Sequence, residues 1–245
     1  RKIYRMIKRS DVSEEKKYVY SGLFFYLVPE LVERLSGLSF REYLQEQFYG
    51  PLNAYTLGFK PTERFALEDI VPTENDTFFR NTQLHGVVHD EGAAMMLGVS
   101  GNAGLFSNAS DLAKVYQMLL NEGKYGTQQF LKPETIKEFT SVQFPENDNR
   151  RGLGFDKPLL EYNERISSVA RGATPASFGH TGFTGTLVWA DPQHDLLFVF
   201  LSNRVFPTRS NSKIYSLNVR PSIHNLVYEL LRIEEGTYTM GRHWD

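Results

Sequence analysis

The chain contains no cysteine, which excludes disulfides, thiolate metal sites and a cysteine nucleophile, and leaves the redox compartment open. It is almost without net charge: 27 Lys and Arg against 29 Asp and Glu give −2, so there is no basic footprint for a nucleic-acid partner. No apolar run approaches the ~20 residues of a membrane span; the longest are strand-sized. No leader-like segment is present, but the sequence opens on Arg1 rather than methionine, so that absence carries no weight. Internal repeats and low-complexity tracts are also lacking. What remains is 245 residues, 41% hydrophobic and 23% charged, enough to bury a sizeable core as one large domain or a domain and a half.

The stretch with most local information runs from Ser177 to Asn203. It predicts two antiparallel strands: Gly179 through Ala190, a turn at Asp191-Pro192-Gln193-His194-Asp195, and a return over Leu196 to Leu201. The return run is almost wholly apolar, as in a strand buried on both faces. Gly179, Gly182 and Gly185 sit three apart, and glycine weakens a strand, so they mark either a bulge or the close approach of another backbone or a ligand.

Elsewhere helices dominate. Ile3, Met6 and Ile7 predict a short helix ending near Ser10; Leu23, Leu27, Leu31, Val32 and Leu35 predict the apolar face of another, stopped by Ser36-Gly37. Ser39 with Glu42 reads as a capping box opening a helix over 40–48. Residues 53–92 lack sustained periodicity and predict a long irregular excursion. A short helix follows over 91–98, one capped by Ser110, and one opened by Pro133. Gly152-Leu153-Gly154-Phe155 looks like a strand, and 221–233 predicts a closing helix with Ile223, Leu226, Val227, Leu230 and Leu231 buried. Helices first, an antiparallel sheet later and a final helix read as α+β.

Three stretches carry a resemblance. Tyr20-Ser21-Gly22 leads into a helix continuing L-V-E-R-L-S-G; Val88-His89-Asp90-Glu91-Gly92-Ala93 leads into L-G-V-S-G-N-A-G-L-F-S-N-A-S-D-L-A-K; His180-Thr181-Gly182 is followed by F-T-G-T-L-V-W-A-D-P and L-S-N-R-V. In order and spacing they resemble the serine β-lactamase and penicillin-binding-protein superfamily, in its class C β-lactamase, DD-peptidase and esterase-like branch. The chain is most similar to the serine-hydrolase module fused C-terminal to family 3 β-N-acetylglucosaminidases. The resemblance implies a β-lactamase/transpeptidase-like fold: an antiparallel sheet flanked by helices plus a helical subdomain, here incomplete at its N-terminus. Residues 18–142 would form the mainly helical subdomain and loops, and 150–235 the sheet and closing helix. It implies acyl transfer on amide or ester bonds, cell-wall D-amino-acid peptides or β-lactams among them, and an extracytoplasmic location. No cofactor and no metal are implied.

By the same resemblance, Tyr20 matches the second-motif tyrosine, a general base or proton relay, and His180, Thr181 and Gly182 match the third motif on the opposite wall. Phe183 occupies the position whose backbone N–H is an oxyanion donor; Ser21 and Gly185 fall in with the substrate-binding residues. Two features depart from the pattern. The nucleophile of the family is the serine of Ser-x-x-Lys, many tens of residues before the tyrosine, and only nineteen residues precede Tyr20 here. The literal matches, Ser13 to Lys16 and Ser210 to Lys213, begin no apolar helix that could bury the lysine and activate the serine. The expectation is therefore a C-terminal fragment without its nucleophile, inactive as it stands and prone to self-associate through uncovered strands. Its partners would be a small-molecule or peptide substrate and a preceding segment or glycosidase domain. Gly22 stands where the family places Asn or Asp. With the missing nucleophile, it favours an alternative: a non-catalytic cell-wall-recognition domain on the same scaffold. His85 with His89 as metal ligands, and Glu74 with Asp76 or Asp90 with Glu91 as a glycosidase pair, are weaker than plain loop, turn and capping roles.

Overall fold

The structure is a computed structural model, and residues 2–14, 18–147 and 149–231 are described. The chain divides into two compact units. The first comprises Arg1–Leu112 with Val205–Ser210, and the second Ala113–Arg204 with Asn211–Asp245.

The first unit opens with α1 (Lys2–Lys8), where the isoleucine and methionine spacing places it. A 3₁₀ turn over Phe24–Leu27 runs into α2 (Val28–Ser36), with Pro29 in its first turn and Gly37 closing it at φ 76°. Residue 37 therefore has to be left-handed. α3 (Phe40–Leu44) starts on the capping box: Ser39 Oγ accepts from the Glu42 N–H at 3.3 Å, and Glu42 Oε2 accepts from the Ser39 N–H at 3.0 Å. A π-helical turn over Gln45–Tyr49 continues it. Within the stretch read as irregular lies a hairpin, β1 (Pro72–Asp76) with β2 (Thr82–His85). Its turn is organised by buried Asp76, which accepts from the N–H groups of Phe78, Phe79 and Arg80 at 2.9, 2.9 and 3.1 Å. Burial pushes the Asp76 carboxyl up, but those N–H groups and the Arg80 guanidinium outweigh it and hold it well below the ordinary carboxylate range. α4 (Glu91–Met95) is capped by Asp90, which accepts from the Ala93 N–H at 2.7 Å. The core of this unit gathers Phe40, Leu52, Leu57, Phe59, Leu84 and Ala93. The apolar face expected of α2 is not part of it: Leu31 and Leu35 are exposed, because the buried position there is Pro29.

α5 (Ala109–Leu120) spans the boundary of the units. Its cap is Asn108, whose Oδ1 accepts from the Asp111 N–H at 2.9 Å, rather than Ser110. The second unit continues with a tight hairpin, β3 (Lys124–Tyr125) and β4 (Gln128–Gln129), and with α6 (Pro133–Thr140) opened by its proline. Its main sheet is antiparallel with order β5 (Phe178–Thr181), β6 (Leu187–Asp191), β7 (Leu196–Phe200). The first predicted strand is thus two strands broken by a turn at Gly182–Thr186, where the Gly182 N–H returns to Thr186 O at 2.8 Å. Gly152–Phe155 is not a strand; the neighbour of β5 is Asp156, bridged to Gly179. The strand buried at every position is the central β6, while β7, along one edge, is half-buried throughout. Val169, Leu187 and Trp189 form the core, with Ala173, Phe198 and Phe200 against them.

A short α7 (Lys213–Ser216) precedes α8 (Val219–Leu230). The face of α8 expected to be buried is half-buried at Ile223 and Val227 and exposed at Leu226, Leu230 and Leu231, while Arg220, His224 and Tyr228 are buried. Each of these polar groups has a partner facing it. Arg220 donates to Thr186 O at 3.0 Å, His224 Nδ1 accepts from the Ala170 N–H at 3.2 Å, and Tyr228 donates to Asp191 at 2.7 Å. Asp191 is the hub, also receiving Thr174 Oγ1 at 2.6 Å and His194 at 3.1 Å.

Candidate active site

In the first unit, Tyr20, Ser21 and Gly22 lie in irregular chain ahead of the 3₁₀ turn. The Tyr20 side chain is exposed, and Ser21 Oγ accepts from the Leu23 N–H at 3.2 Å, fixing the local bend. Gly22 lies against Asn102: a Cβ there would meet the Asn102 Cβ at 3.7 Å. Asn102 itself donates to Tyr26 Oη at 3.3 Å and Asp90 Oδ1 at 3.2 Å, and accepts from Ser100 at 2.6 Å. This network fastens the 3₁₀ turn that follows the motif, through Tyr26, to the loop after α4.

In the second unit, His180 sits on β5 next to the Gly182–Gly185 turn. Arg151 Nη1 lies 3.1 Å from His180 Nε2, and Nδ1 lies 2.7 Å from Thr181 O. A guanidinium can only donate and a carbonyl can only accept, which fits the tautomer with its proton on Nδ1. Arg151 is held by buried Asp156 at 3.4 Å, and Arg150 reaches the same carboxylate at 3.0 Å. Asp156 exchanges backbone hydrogen bonds with Gly179, the residue before His180, so the edge pairing that places the carboxylate also places the arginine. With both ring nitrogens engaged, His180 is held in place rather than poised to remove a proton, and the positive charge beside it is that of Arg151.

The glycines have separate reasons. A side chain at Gly179 would strike Val188 O at 2.1 Å on the neighbouring strand, and Gly185 needs φ 114° in the turn. Close backbone approach and a tight turn, rather than a bulge, account for them. Phe183 at the tip is exposed, its carbonyl accepting from Arg204 Nε at 2.8 Å and its ring 4.3 Å beneath that guanidinium. The structure therefore gathers His180, Thr181, Gly182, Phe183 and Gly185 in one unit, and Tyr20 and Ser21 in the other. Sequence reasoning missed Arg151, Asp156 and Arg220. For Arg204 a signal existed, since it ends the L-S-N-R run.

Of the two Ser-x-x-Lys matches, the one at Ser210 is not built as a nucleophile, since Ser210 and Lys213 are both exposed; in the other, Lys16 lies outside the described residues. The acidic and histidine pairs have structural partners. Buried Glu74 accepts from Arg209 Nε and Nη2 at 3.1 and 2.8 Å and faces His89 at 3.3 Å; Glu91 accepts from Arg209 Nη1 at 2.7 Å. His85 Nε2 lies 2.5 Å from Ile70 O. Among the described residues no three His, Asp or Glu side chains group as metal ligands, and no helix is long and apolar enough to cross a membrane.

A family model described as Beta-lactamase matches residues 4–218. A protein of Escherichia coli K12, provisionally named a D-alanyl-D-alanine carboxypeptidase, is 36% identical over 214 residues, 81% of this chain and 48% of its own. Among solved structures, a β-lactamase from Mycobacterium bovis superposes with a TM-score of 0.59 at 23% identity, covering 87% of this chain and 64% of its own. A penicillin-binding-protein homologue from Caulobacter crescentus gives 0.52 at 21%, covering 78% and 54%. The chain belongs to the Beta-lactamase family, with the mixed helix and antiparallel-sheet fold of the β-lactamases and penicillin-binding proteins. It spans about half the length of the curated relatives it matches.

Proposed function

We propose that the whole protein is a serine hydrolase of the β-lactamase and DD-peptidase type. It would transfer acyl groups from amide or ester bonds, with D-amino-acid peptides and β-lactams as the substrate classes. Its nucleophile is a Ser-x-x-Lys serine outside this chain, which is inactive alone. Tyr20 is the base or relay. His180 and Thr181 face the substrate, with Ser21, Gly182 and Gly185 lining its site, and the Phe183 N–H is an oxyanion donor. The observation that carries this reading is the Arg151 guanidinium held 3.1 Å from His180 Nε2 beside the Gly182–Gly185 turn, a fixed positive charge that suits the carboxylate of an acyl substrate. The preceding segment, or a glycosidase domain, is the partner; without it the half-buried edge strand β7 and exposed Leu31 and Leu35 favour self-association. Cell-wall substrates place the protein outside the cytoplasm. The test is labelling of the full-length protein by a fluorescent penicillin or fluorophosphonate. Tyr20→Phe is expected to slow acylation by about 10²–10⁴; labelling of Tyr20→Phe at the unsubstituted rate would refute the role of Tyr20.

One observation favours a second reading, a cell-wall-recognition domain without turnover: position 22 carries no side chain and faces Asn102, whose amide is engaged with Tyr26 and Asp90. A full-length protein that binds peptidoglycan fragments but is labelled by neither probe would establish it.

A further inference from the structure

Arg220 and Arg204 are both buried beneath the Gly182–Gly185 turn, and both contact the ring of Tyr215, at 5.3 and 4.9 Å. Burying a guanidinium is costly unless its donors are used. Here both guanidinium groups donate to the turn itself, and Arg204 Nη1 also donates to Asn211 O at 2.8 Å. Arg220 Nη1 donates to Thr186 O at 3.0 Å and reaches Gly182 O at 3.4 Å, and the Gly185 N–H also donates to Gly182 O at 3.0 Å. Arg204 takes the next two carbonyls: Nε donates to Phe183 O at 2.8 Å, and its backbone N–H to Thr184 O at 2.8 Å. With Gly185 O accepting from Ser202 Oγ at 2.8 Å, all five carbonyl oxygens from Gly182 to Thr186 are held by donors from α8, from the chain after β7, or from the turn.

The consequence concerns one peptide plane. Gly182 C=O and Phe183 N–H are the two ends of a single planar unit and point in opposite directions. Fixing the oxygen toward α8 fixes the N–H away from it, and a cation on the oxygen polarises the N–H as a donor. We infer that Arg220 is a positioning residue for acyl transfer: from α8 it clamps the carbonyl of the peptide whose N–H, that of Phe183, stabilises the developing oxyanion. This rests on the hydrolase reading above, and goes beyond it in assigning the support of that donor to a residue remote in sequence. Arg204 fixes the following peptide and so the direction in which the turn leaves β5.

The test uses the full-length protein with Arg220→Gln, which keeps a donor for the carbonyls and removes the charge, and Arg220→Lys, which keeps the charge. Steady-state hydrolysis of an activated ester is measured beside hydrogen–deuterium exchange of the peptide spanning 182–186. Loss of an oxyanion donor costs about 10²–10³ in rate, so weakening its support in Arg220→Gln is expected to lower kcat by about tenfold or more. KM is expected to change less than about threefold, with Arg220→Lys recovering most of kcat, since the lost interaction belongs to the transition state. Exchange over 182–186 is expected to quicken in Arg220→Gln while that over 187–200 is unchanged. An unaltered kcat, or a kcat loss tracking a general loss of protection across the sheet, overturns the inference. Absence of turnover in the unsubstituted protein refutes the hydrolase reading instead; exchange then decides alone, and unchanged protection of 182–186 in Arg220→Gln overturns the clamp.

Discussion

His224 makes stability depend on pH in a way that one substitution can isolate. The ring is fully buried on α8, stacked on Phe198 at 4.4 Å and 9° and edge-on to Tyr228 at 5.2 Å. Nδ1 accepts from the Ala170 N–H, so the proton of the neutral ring sits on Nε2, which has no hydrogen-bond partner among the described residues. Burial pushes the imidazole down to about 4, with Asp191 pulling weakly the other way, against 6.5 for the free side chain. As pH falls below 6.5 the unfolded chain takes up a proton that the fold refuses. The stability is fully present above that value and lost progressively toward pH 4. At ~1.4 kcal/mol per pH unit the loss amounts to about 3 kcal/mol. Urea unfolding of the protein and of His224→Phe, between pH 7.5 and 4, reads this directly. At pH 7.5 the variant is expected to be less stable by about 1–3 kcal/mol, because the Ala170 N–H loses its acceptor. Near pH 4 the two curves should meet or cross. Identical pH slopes in the two proteins would refute the argument.

Three further outcomes follow from single contacts. Lys157 is buried with its ammonium on Ala176 O at 3.1 Å, and burial pushes it down to about 8 despite Asp191. Between 8 and 10.5 the unfolded chain holds the proton and the fold does not. Stability should therefore rise by about 3 kcal/mol across that window, and Lys157→Met should flatten the rise in thermal unfolding. Glu74→Ala leaves the Arg209 guanidinium without its buried carboxylate and is expected to cost about 3–5 kcal/mol by urea unfolding; a cost below about 1 kcal/mol would refute the clasp. Gly185→Ala forces an L side chain to φ 114° with its Cβ 2.5 Å from Ser202 Oγ. It should cost about 1–3 kcal/mol and reduce penicillin labelling of the full-length protein; unchanged labelling would separate the turn from the site.

How much could be read in advance follows the range of the interactions. The Ser39–Glu42 box, Gly37 and Pro133 are settled within one turn of chain, and they stand where the sequence put them. The α+β class and the family were legible too, because three motifs in order are a long-range signature that needs no coordinates. The β1–β2 hairpin escaped because its turn hangs on one buried carboxylate, Asp76, rather than on an Asn-Gly or Asp-Gly pair.

The sequence alone determined the helix signals at Gly37, Ser39 and Pro133, and that His180, Thr181, Gly182 and Phe183 are consecutive. Only the tertiary structure decided which faces are buried. On α8 the leucines are exposed and Arg220, His224 and Tyr228 buried, because a polar side chain can be buried where a hydrogen-bonding partner already faces it. Those partners, Thr186 O, the Ala170 N–H and Asp191, lie some thirty or more residues away along the chain. No local pattern of hydrophobicity carries that information.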